Sequence, residues 1–572
     1  MARRRPSATA TVAASVGLNV AFVLLLAFFC LSASWRGGDA SGRDGERRLR
    51  SNEGRCGCGA AAGLDRRGGR GYVDYVYLLC CVFGGERRAL GYAAAAAWLA
   101  VLFYLLGDTA AVYFCSSLEG LTRMLRLPPA IAGVTLLSLG NGAPDALSTV
   151  ASFAAGEGGS TTAVGLNGVL GGSLFVSAAV LGVIGVRLGA EGIAVDRASF
   201  FRDASFLLLA LAAVTVVLAV GQVTIWGALA FDSLYLVYVL AVAFTPDRWK
   251  RRQAHGAEPE HTAAAGDSSE LHNVAETKFY ADLEARQPLL PDTAPLLENY
   301  AGAGTGDGGT NRKMTTAFWA AVRALELPLS LPRRLTIPDA SKERWSKPAA
   351  VTAATLAPLL LSIVCRHAAG AGGNPSLAVL LGGLAGLALG VVAFLTTDAS
   401  APPTRFLAAW LAGGFVMSAA WAYVIAREVL SLLVAAGAAM SVDTAALGVT
   451  VLAWGNSLGD LVTTVAVASR GGAGGAQVAV SGCYGGPVFN VLVGLGLSML
   501  LSCWAGYPRP VDIPREHGLY QTLGFVVAGL LWVVVMLTRR GMRVDRTLGF
   551  GLLAIYFCFL CINISQVLGP KG

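Results

Sequence analysis

Charge is the first thing this sequence lacks. Asp, Glu, Lys and Arg make up 14% of its 572 residues, against about 25% in an ordinary soluble domain. A chain with so little charge is not a soluble globular protein. Histidine is scarcer still: five residues, none at metal-ligand spacing, so no histidine-based metal centre is expected. A nucleotide-binding loop is also missing. Gly-Thr-Gly-Asp-Gly-Gly-Thr at 304–310 is glycine-rich but lacks the Lys-Ser/Thr and the preceding strand that a phosphate loop needs. The formal net charge of +8 is accounted for by Lys and Arg flanking apolar runs, so nucleic acid is not an expected partner.

What fills the chain instead is apolar sequence. Hydrophobic residues make up 55% and the mean hydropathy is +0.59, so the chain reads as an all-α polytopic membrane protein in a lipid bilayer. Windows of about 20 apolar residues fall at 11–33, 91–118, 129–154, 162–186, 204–221, 223–244, 349–366, 375–396, 406–426, 444–469, 476–503, 519–538 and 546–567, or about 12–13 spans. Glycine, at 71 residues, suits helices that pack closely in lipid.

Between the windows the organisation is uneven. Residues 1–33 begin Met-Ala-Arg-Arg-Arg and read as a signal peptide or an anchor helix. Residues 34–90 are polar and hold Cys56, Cys58, Cys80 and Cys81, which suggests one or two disulfides on a non-cytosolic face. The alternative is four free thiols; a zinc site fits the spacing poorly. Residues 245–347 form a long polar cytosolic loop between two membrane halves, and its end, 325–348, is expected along the membrane surface. Two linking helices follow at 348–397, and the second half occupies 398–572.

The halves are related. Residues 133–151 read GVTLLSLGNGAPDALSTVA and residues 448–466 read GVTVLAWGNSLGDLVTTVA, with ten of nineteen positions identical and no gap. Asp145 falls on Asp460, and Asn141 on Asn456. GVLGGSLFV (168–176) then matches GCYGGPVFN (482–490). This is an internal repeat of five helices, covering 91–244 and 406–567. Two spans lie between the copies, so the second enters the membrane from the opposite side, giving inverted repeats. Lys and Arg broadly support the arrangement, since 155–161 and 435–443 carry none. Arg427, Arg509, Arg515 and the Arg-rich 34–90 segment run against it.

Gly140, Gly142 and Pro144 weaken the helical ladder inside an apolar run. Backbone groups freed at that depth must line a cavity or find partners. Carbonyls, an Asn amide and a carboxylate are hard oxygen ligands suited to Ca²⁺ or Na⁺. Inversion brings Asp145 and Asp460 together near the midplane. Their combined charge of about −2 balances one Ca²⁺ or two monovalent cations in turn. Ser148, Thr149, Thr463 and Thr464 lie one turn further on, either as auxiliary ligands or as helix-to-helix hydrogen bonds. Asp108, Asp203 and Asp232 lie in or near other spans, as proton relays, as secondary cation sites or in helix packing.

The paired Gly-Asn-Gly-Ala-Pro-Asp and Gly-Asn-Ser-Leu-Gly-Asp motifs resemble the repeats of the cation/Ca²⁺ exchanger superfamily. They are most similar to the branch of plant cation/calcium exchangers and the mitochondrial sodium/lithium/calcium exchanger. GYVDYVYLLCCVFGG (71–85) and ELPLSLPRRLTIP (326–338) also resemble that branch. The resemblance implies an antiporter that exchanges Ca²⁺ for Na⁺, K⁺ or H⁺ by alternating access, without cofactor or covalent chemistry. Its setting would be a vacuolar, endomembrane or plasma membrane. It carries the family's acids to Asp145 and Asp460, and neighbouring ligand positions to Asn141, Asn456 and Ser457. On the following helices it reaches Val176 and Asn490, with Gly172 and Gly486 one turn before. The first repeat has thus lost side-chain oxygens, for which Ser177 is an auxiliary candidate. Two other classes remain as alternatives, a cation channel or sensor and an intramembrane aspartyl protease. The Tyr-Asp pair of the latter occurs nowhere in this chain.

Overall fold

The computed structural model describes residues 72–83, 87–124, 129–154, 159–189, 193–244, 330–341, 344–369, 375–403, 405–440, 442–470 and 472–568. Among the described residues eleven helices are long and apolar enough to cross a membrane. The helix bearing the first motif, Pro129–Ala154, adds a further 26-residue rod. The window at 11–33 lies outside the described residues.

The first half contains α1 (Arg88–Asp108), continued by a π-helical turn Thr109–Phe114 and α2 (Cys115–Met124). Next come α3 (Pro129–Ala154) and α4 (Gly159–Leu174), the latter continued by a π turn Phe175–Val180 and α5 (Leu181–Leu188). Strand β1 (Ile193–Ala194), α6 (Arg197–Val220), β2 (Gln222–Val223) and α7 (Ile225–Phe244) complete it. Helices α8 (Lys347–Ala369) and α9 (Pro375–Thr396) pack on each other as the linking pair. The second half runs α10 (Leu407–Met440), α11 (Thr444–Leu447), a π turn Gly448–Leu452, α12 (Ala453–Arg470) and α13 (Gly472–Phe489). A π turn Asn490–Leu495, α14 (Gly496–Gly506), β3 (Val511–Asp512), α15 (His517–Arg539), β4 (Arg543–Val544) and α16 (Arg546–Leu568) follow.

Four two-residue strands report the relation between the halves. β1 pairs antiparallel with β4, and β2 with β3. Strands β1 and β2 flank α6, the fourth helix of the first half; β3 and β4 flank α15, its counterpart in the second. The start of α6 therefore lies beside the end of α15, and the end of α6 beside the start of α15. Equivalent helices run in opposite directions, as inverted repeats require. One hydrophobic cluster draws on both halves, from Leu166, Leu170 and Leu207 to Val488, Leu492 and Val533.

The loop end departs from expectation. Instead of lying along the surface, residues 330–341 are tucked into the protein, with Arg333 and Ile337 each 1% exposed. Arg333 Nη1 pairs with Asp108 Oδ2 at 2.7 Å and donates to Thr109 Oγ1 at 2.9 Å. Trp421 of α10 donates to Thr336 Oγ1 at 2.7 Å, and Arg344 donates to the Val112 carbonyl at 2.9 Å. The arginines take up acceptors where the π turn loosens the first span, which is why a basic segment gains by entering. Residues 72–83 are anchored similarly. Tyr75 donates to the buried Glu428 carboxylate at 2.8 Å, and Trp98 donates to Tyr75 at 2.9 Å. Of the disulfide candidates, Cys80 is disulfide-bonded; Cys56, Cys58 and the side chain of Cys81 lie outside the described residues. The loop 304–310 is also outside them.

Removing one partner of a buried ion pair strands the other charge, at a cost of about 3–5 kcal/mol. Asp108 keeps some solvent contact, so Asp108→Asn is expected at or below the lower end of that range. A thermal-unfolding scan of purified protein in detergent should show a clear drop in midpoint. An unchanged midpoint would mean that the Arg333 contact does not hold the segment in place.

Candidate cation site

The sequence leads one to expect a broken helix at the first motif, and the structure corrects this. Helix α3 runs unbroken through Pro144, because Gly140 and Gly142 let the backbone yield around the proline ring. The irregular backbone lies elsewhere. A π turn, Gly448–Leu452, leads into the second motif. Matching π turns, Phe175–Val180 and Asn490–Leu495, follow the two Gly-Gly segments. Such turns concentrate at functional sites in helices.

The motif glycines serve close approach. A Cβ at Gly142 would overlap Asn490 Oδ1 and come within 2.6 Å of the Phe489 ring. One at Gly494 would lie 3.1 Å from Ala146 Cα. In the reciprocal crossing, a Cβ at Gly171 would lie 2.7 Å from the Val449 carbonyl, and one at Gly448 would lie 2.6 Å from that of Val164. The third helix of each half thus crosses the second helix of the other at near backbone contact, the geometry small residues permit in membranes.

At this crossing the side chains converge. Asp145 and Asp460 are 3% and 7% exposed, and they stand near enough for the charge of one to act on the other. Asn490 Nδ2 donates to Asp145 Oδ2 at 2.6 Å, and the Asn456 side chain stands near the same carboxyl. A Cβ at Gly172 would stand 3.3 Å from Ser457 Oγ and 3.6 Å from Asp145 Oδ2, so that glycine forms part of the wall. Its counterpart Gly486 faces open space. Five of the predicted residues are therefore brought together: Asp145, Asn456, Ser457, Asp460 and Asn490. The side chain of the sixth, Asn141, lies outside the described residues.

The electrostatic signature is a set of buried oxygens without hydrogen-bond partners. Asp145 Oδ1, Asn456 Oδ1, Ser457 Oγ, Asn490 Oδ1 and Ser148 Oγ have none. Buried polar atoms are normally paired, and a cluster of spare acceptors around two carboxylates is what a hard cation requires. Among the described residues no three of His, Cys, Asp and Glu converge, so the two acids are supplemented by neutral oxygens.

The auxiliary hydroxyls divide. Thr149 donates to the Asp145 carbonyl at 2.7 Å, Thr463 to that of Gly459 at 2.8 Å and Ser177 to that of Ser173 at 2.6 Å. Each donates its proton to a carbonyl of its own helix and not across to a neighbouring one. Thr464 is buried, and Ser148 alone of the five has a buried, unpartnered oxygen. Val176 is buried on the π turn equivalent to that of Asn490 and brings no oxygen. Asn563, in a glycosylation-like triplet, is buried and donates to the Phe559 carbonyl. Sequence reasoning missed Cys483, a fully buried thiol on which the Asp460 charge acts, and Tyr484, whose buried hydroxyl has no partner. The signal was in the repeat alignment, where they replace Val169 and Leu170.

The family described as sodium/calcium exchanger protein matches residues 95–244 and 410–565. Cation/calcium exchanger 1 of Arabidopsis thaliana is 44% identical over 90% of this chain and 87% of its own length. The mitochondrial sodium/calcium exchanger protein of Homo sapiens is 29% identical over 87% and 85% respectively. Among solved structures, an H⁺/Ca²⁺ exchanger covers 84% of this chain and 86% of its own at 12% identity and a TM-score of 0.41. Both matched stretches of the family fall on the two five-helix halves that meet at the paired acids, and the chain belongs to the sodium/calcium exchanger protein family.

Proposed function

We propose that this chain is a secondary antiporter that moves Ca²⁺, or a chemically similar cation, against a monovalent cation through the Asp145–Asp460 site. The observation that carries the reading is the set of unpartnered oxygens around two buried carboxylates. The names of the relatives, which specify cation/calcium and sodium/calcium exchange, support it.

The chemistry follows from charge. Two ionised acids side by side repel, and burial removes the water that would screen them. One divalent cation, or monovalent cations in its place, neutralises the pair. The helices can then rearrange around a site that carries little net charge. An unfilled, doubly ionised site is the costly state in either conformation, so the empty carrier crosses slowly and the two fluxes become linked. Asn490 suits both conditions. Its Nδ2 holds Asp145 as observed, while rotation of the amide presents Oδ1 to an arriving cation.

Removing either charge while keeping its shape should stop transport. Asp145→Asn and Asp460→Asn are expected to insert and fold yet fail to accumulate radiolabelled Ca²⁺ in proteoliposomes. Normal uptake by both would remove the acids from the site. The same vesicles test coupling: wild-type uptake should collapse once the opposing Na⁺, K⁺ or H⁺ gradient is dissipated. Uptake indifferent to every gradient would indicate a channel.

Two neighbours give graded outcomes. Asn490→Val removes both the donor to Asp145 and a free acceptor, and should weaken apparent Ca²⁺ affinity about tenfold or more, equivalent to 1.4 kcal/mol. Val176→Asn should be tolerated. Unchanged affinity in Asn490→Val alongside a lower unfolding temperature would leave Asn490 a packing residue. Gly142→Ala places a methyl group on Asn490 and Phe489, and should impair transport more than Gly459→Ala, since Gly459 has open space at its Cβ position. Equal activity of the two alanine variants in the uptake assay would show that the helix crossing tolerates separation.

A further inference from the structure

The acids of the membrane spans are nearly all accounted for among the described residues. Asp108 pairs with Arg333. Asp203 pairs with Arg202 at 2.8 Å and accepts from Tyr238 at 3.1 Å. Glu428 is held by Tyr75, and Asp145 and Asp460 form the central site. Asp232 on α7 is half-buried, and it has no ion pair or hydrogen bond among the described residues. An intramembrane carboxylate without a partner is costly and points to a function.

Its position is specific. A Cβ at Gly496 would overlap Asp232 Oδ1 and lie 2.9 Å from its Cγ, so the carboxyl occupies a recess that glycine leaves in α14. Gly496 directly follows the π turn Asn490–Leu495, six positions from Asn490, or roughly 9 Å at a rise of about 1.5 Å per residue. On α7, Tyr235 lies about one turn from Asp232. Its hydroxyl is buried without a partner, and its ring centroid is 5.6 Å from that of Phe489, the neighbour of Asn490. Asp232 and Tyr235 thus stand on the face of α7 that packs against α14 and Phe489, beside the element that holds Asp145.

We infer that Asp232 is a second cation-binding position, which receives the monovalent counter-ion at the α7–α14 flank. This rests on the antiport reading above. The surroundings favour a small monovalent cation. One carboxylate balances a single positive charge, and among the described residues no second acid stands beside Asp232 for a divalent ion. Of the elements packed on α7, α14 brings no charged residue, and its Cys503 donates to the Val223 carbonyl. The π turn Asn490–Leu495 brings no titratable group. Helix α6 contributes Arg202 and Asp203, already paired with each other, and Arg197 at its start, which lies over the Phe201 ring; α3 contributes Asp145. On α7 itself stand Tyr235 and Tyr238. Occupation of Asp232 by a proton or an alkali ion removes a negative charge next to the π turn that carries Asn490. The two sites are thereby energetically coupled, and binding at each alters the other reciprocally.

The test uses full-length protein in proteoliposomes, with Ca²⁺ uptake titrated separately against Na⁺, K⁺ and pH, and equilibrium ⁴⁵Ca²⁺ binding measured without gradients. For Asp232→Asn the apparent affinity for the effective counter-ion should fall about tenfold, within the usual range of intersite coupling. Loss of response to pH alone would identify the ion as a proton; loss of response to Na⁺ or K⁺ would identify that metal. Gradient-free Ca²⁺ binding should retain its maximum stoichiometry. Asp232→Glu should restore the dependence, and Gly496→Ala, which displaces the carboxyl, should reproduce the loss. Wild-type dependence on all three ions in Asp232→Asn overturns the inference. Should that variant fail to fold, the same result in Gly496→Ala overturns it. A wild-type protein indifferent to every counter-ion overturns the antiport reading itself.

Discussion

The structure turns on the burial of two carboxylates beside each other. Two acids ionised together at this depth repel, and neither Asp145 nor Asp460 has an arginine or lysine ion pair among the described residues. The partner of Asp145 is a neutral amide, Asn490, which donates without cancelling charge. On the proposed function, something mobile and positive completes this arrangement. An internal ion pair would satisfy the carboxylates permanently, as Arg333 satisfies Asp108, and the site would then hold no cargo. The surrounding oxygens without partners follow the same logic, since every internal hydrogen bond to them would compete with a cation.

Holding four elements around one point requires their backbones to meet closely. That need explains the distribution of glycine better than helix breaking does. Gly142, Gly171, Gly448 and Gly494 all lie where one half crosses the other. The inverted repeat makes the crossings reciprocal, and the exchange pairing of β1 with β4 and β2 with β3 ties the halves together outside the core. The site belongs to neither half alone. Any relative movement of the halves must alter it, which is the mechanical requirement for alternating access.

Much of this was legible in the sequence, because duplication leaves a record that survives in residue identity. The ten matches around Asp145 and Asp460 pointed to both acids and the repeat, the two spans between the copies pointed to its inversion, and the offset to residues 482–490 pointed to Asn490. Two kinds of information were not legible. Backbone irregularity was one: Pro144 suggested a broken helix, yet α3 is continuous, and no proline marks the π turn Gly448–Leu452. Long-range pairing was the other. Nothing local to Arg333 says that it will enter the protein to meet Asp108, 225 residues earlier, and the composition of 325–348 is equally that of an interfacial segment. A hydroxyl's choice between ligand and packing is likewise decided by its rotamer. Thr149 and Thr463 turned to their own helices, while Ser148 kept its oxygen free.

The asymmetry between Val176 and Asn490 limits how the site can handle charge. Both residues sit on π turns at equivalent positions, so symmetry alone would give two amides or two valines. An oxygen on one side only leaves two acids and a partial shell of neutral oxygens. Full neutralisation of the ionised pair then requires two positive charges, and water can complete the shell. A third acid at Asn490 would make the site hold a divalent cation more tightly and would leave it charged after a single Ca²⁺ bound. A valine there would leave Asp145 without its donor. The amide lies between these limits: it donates to the acid and adds no charge, and on the proposed function its oxygen is the end that meets a cation.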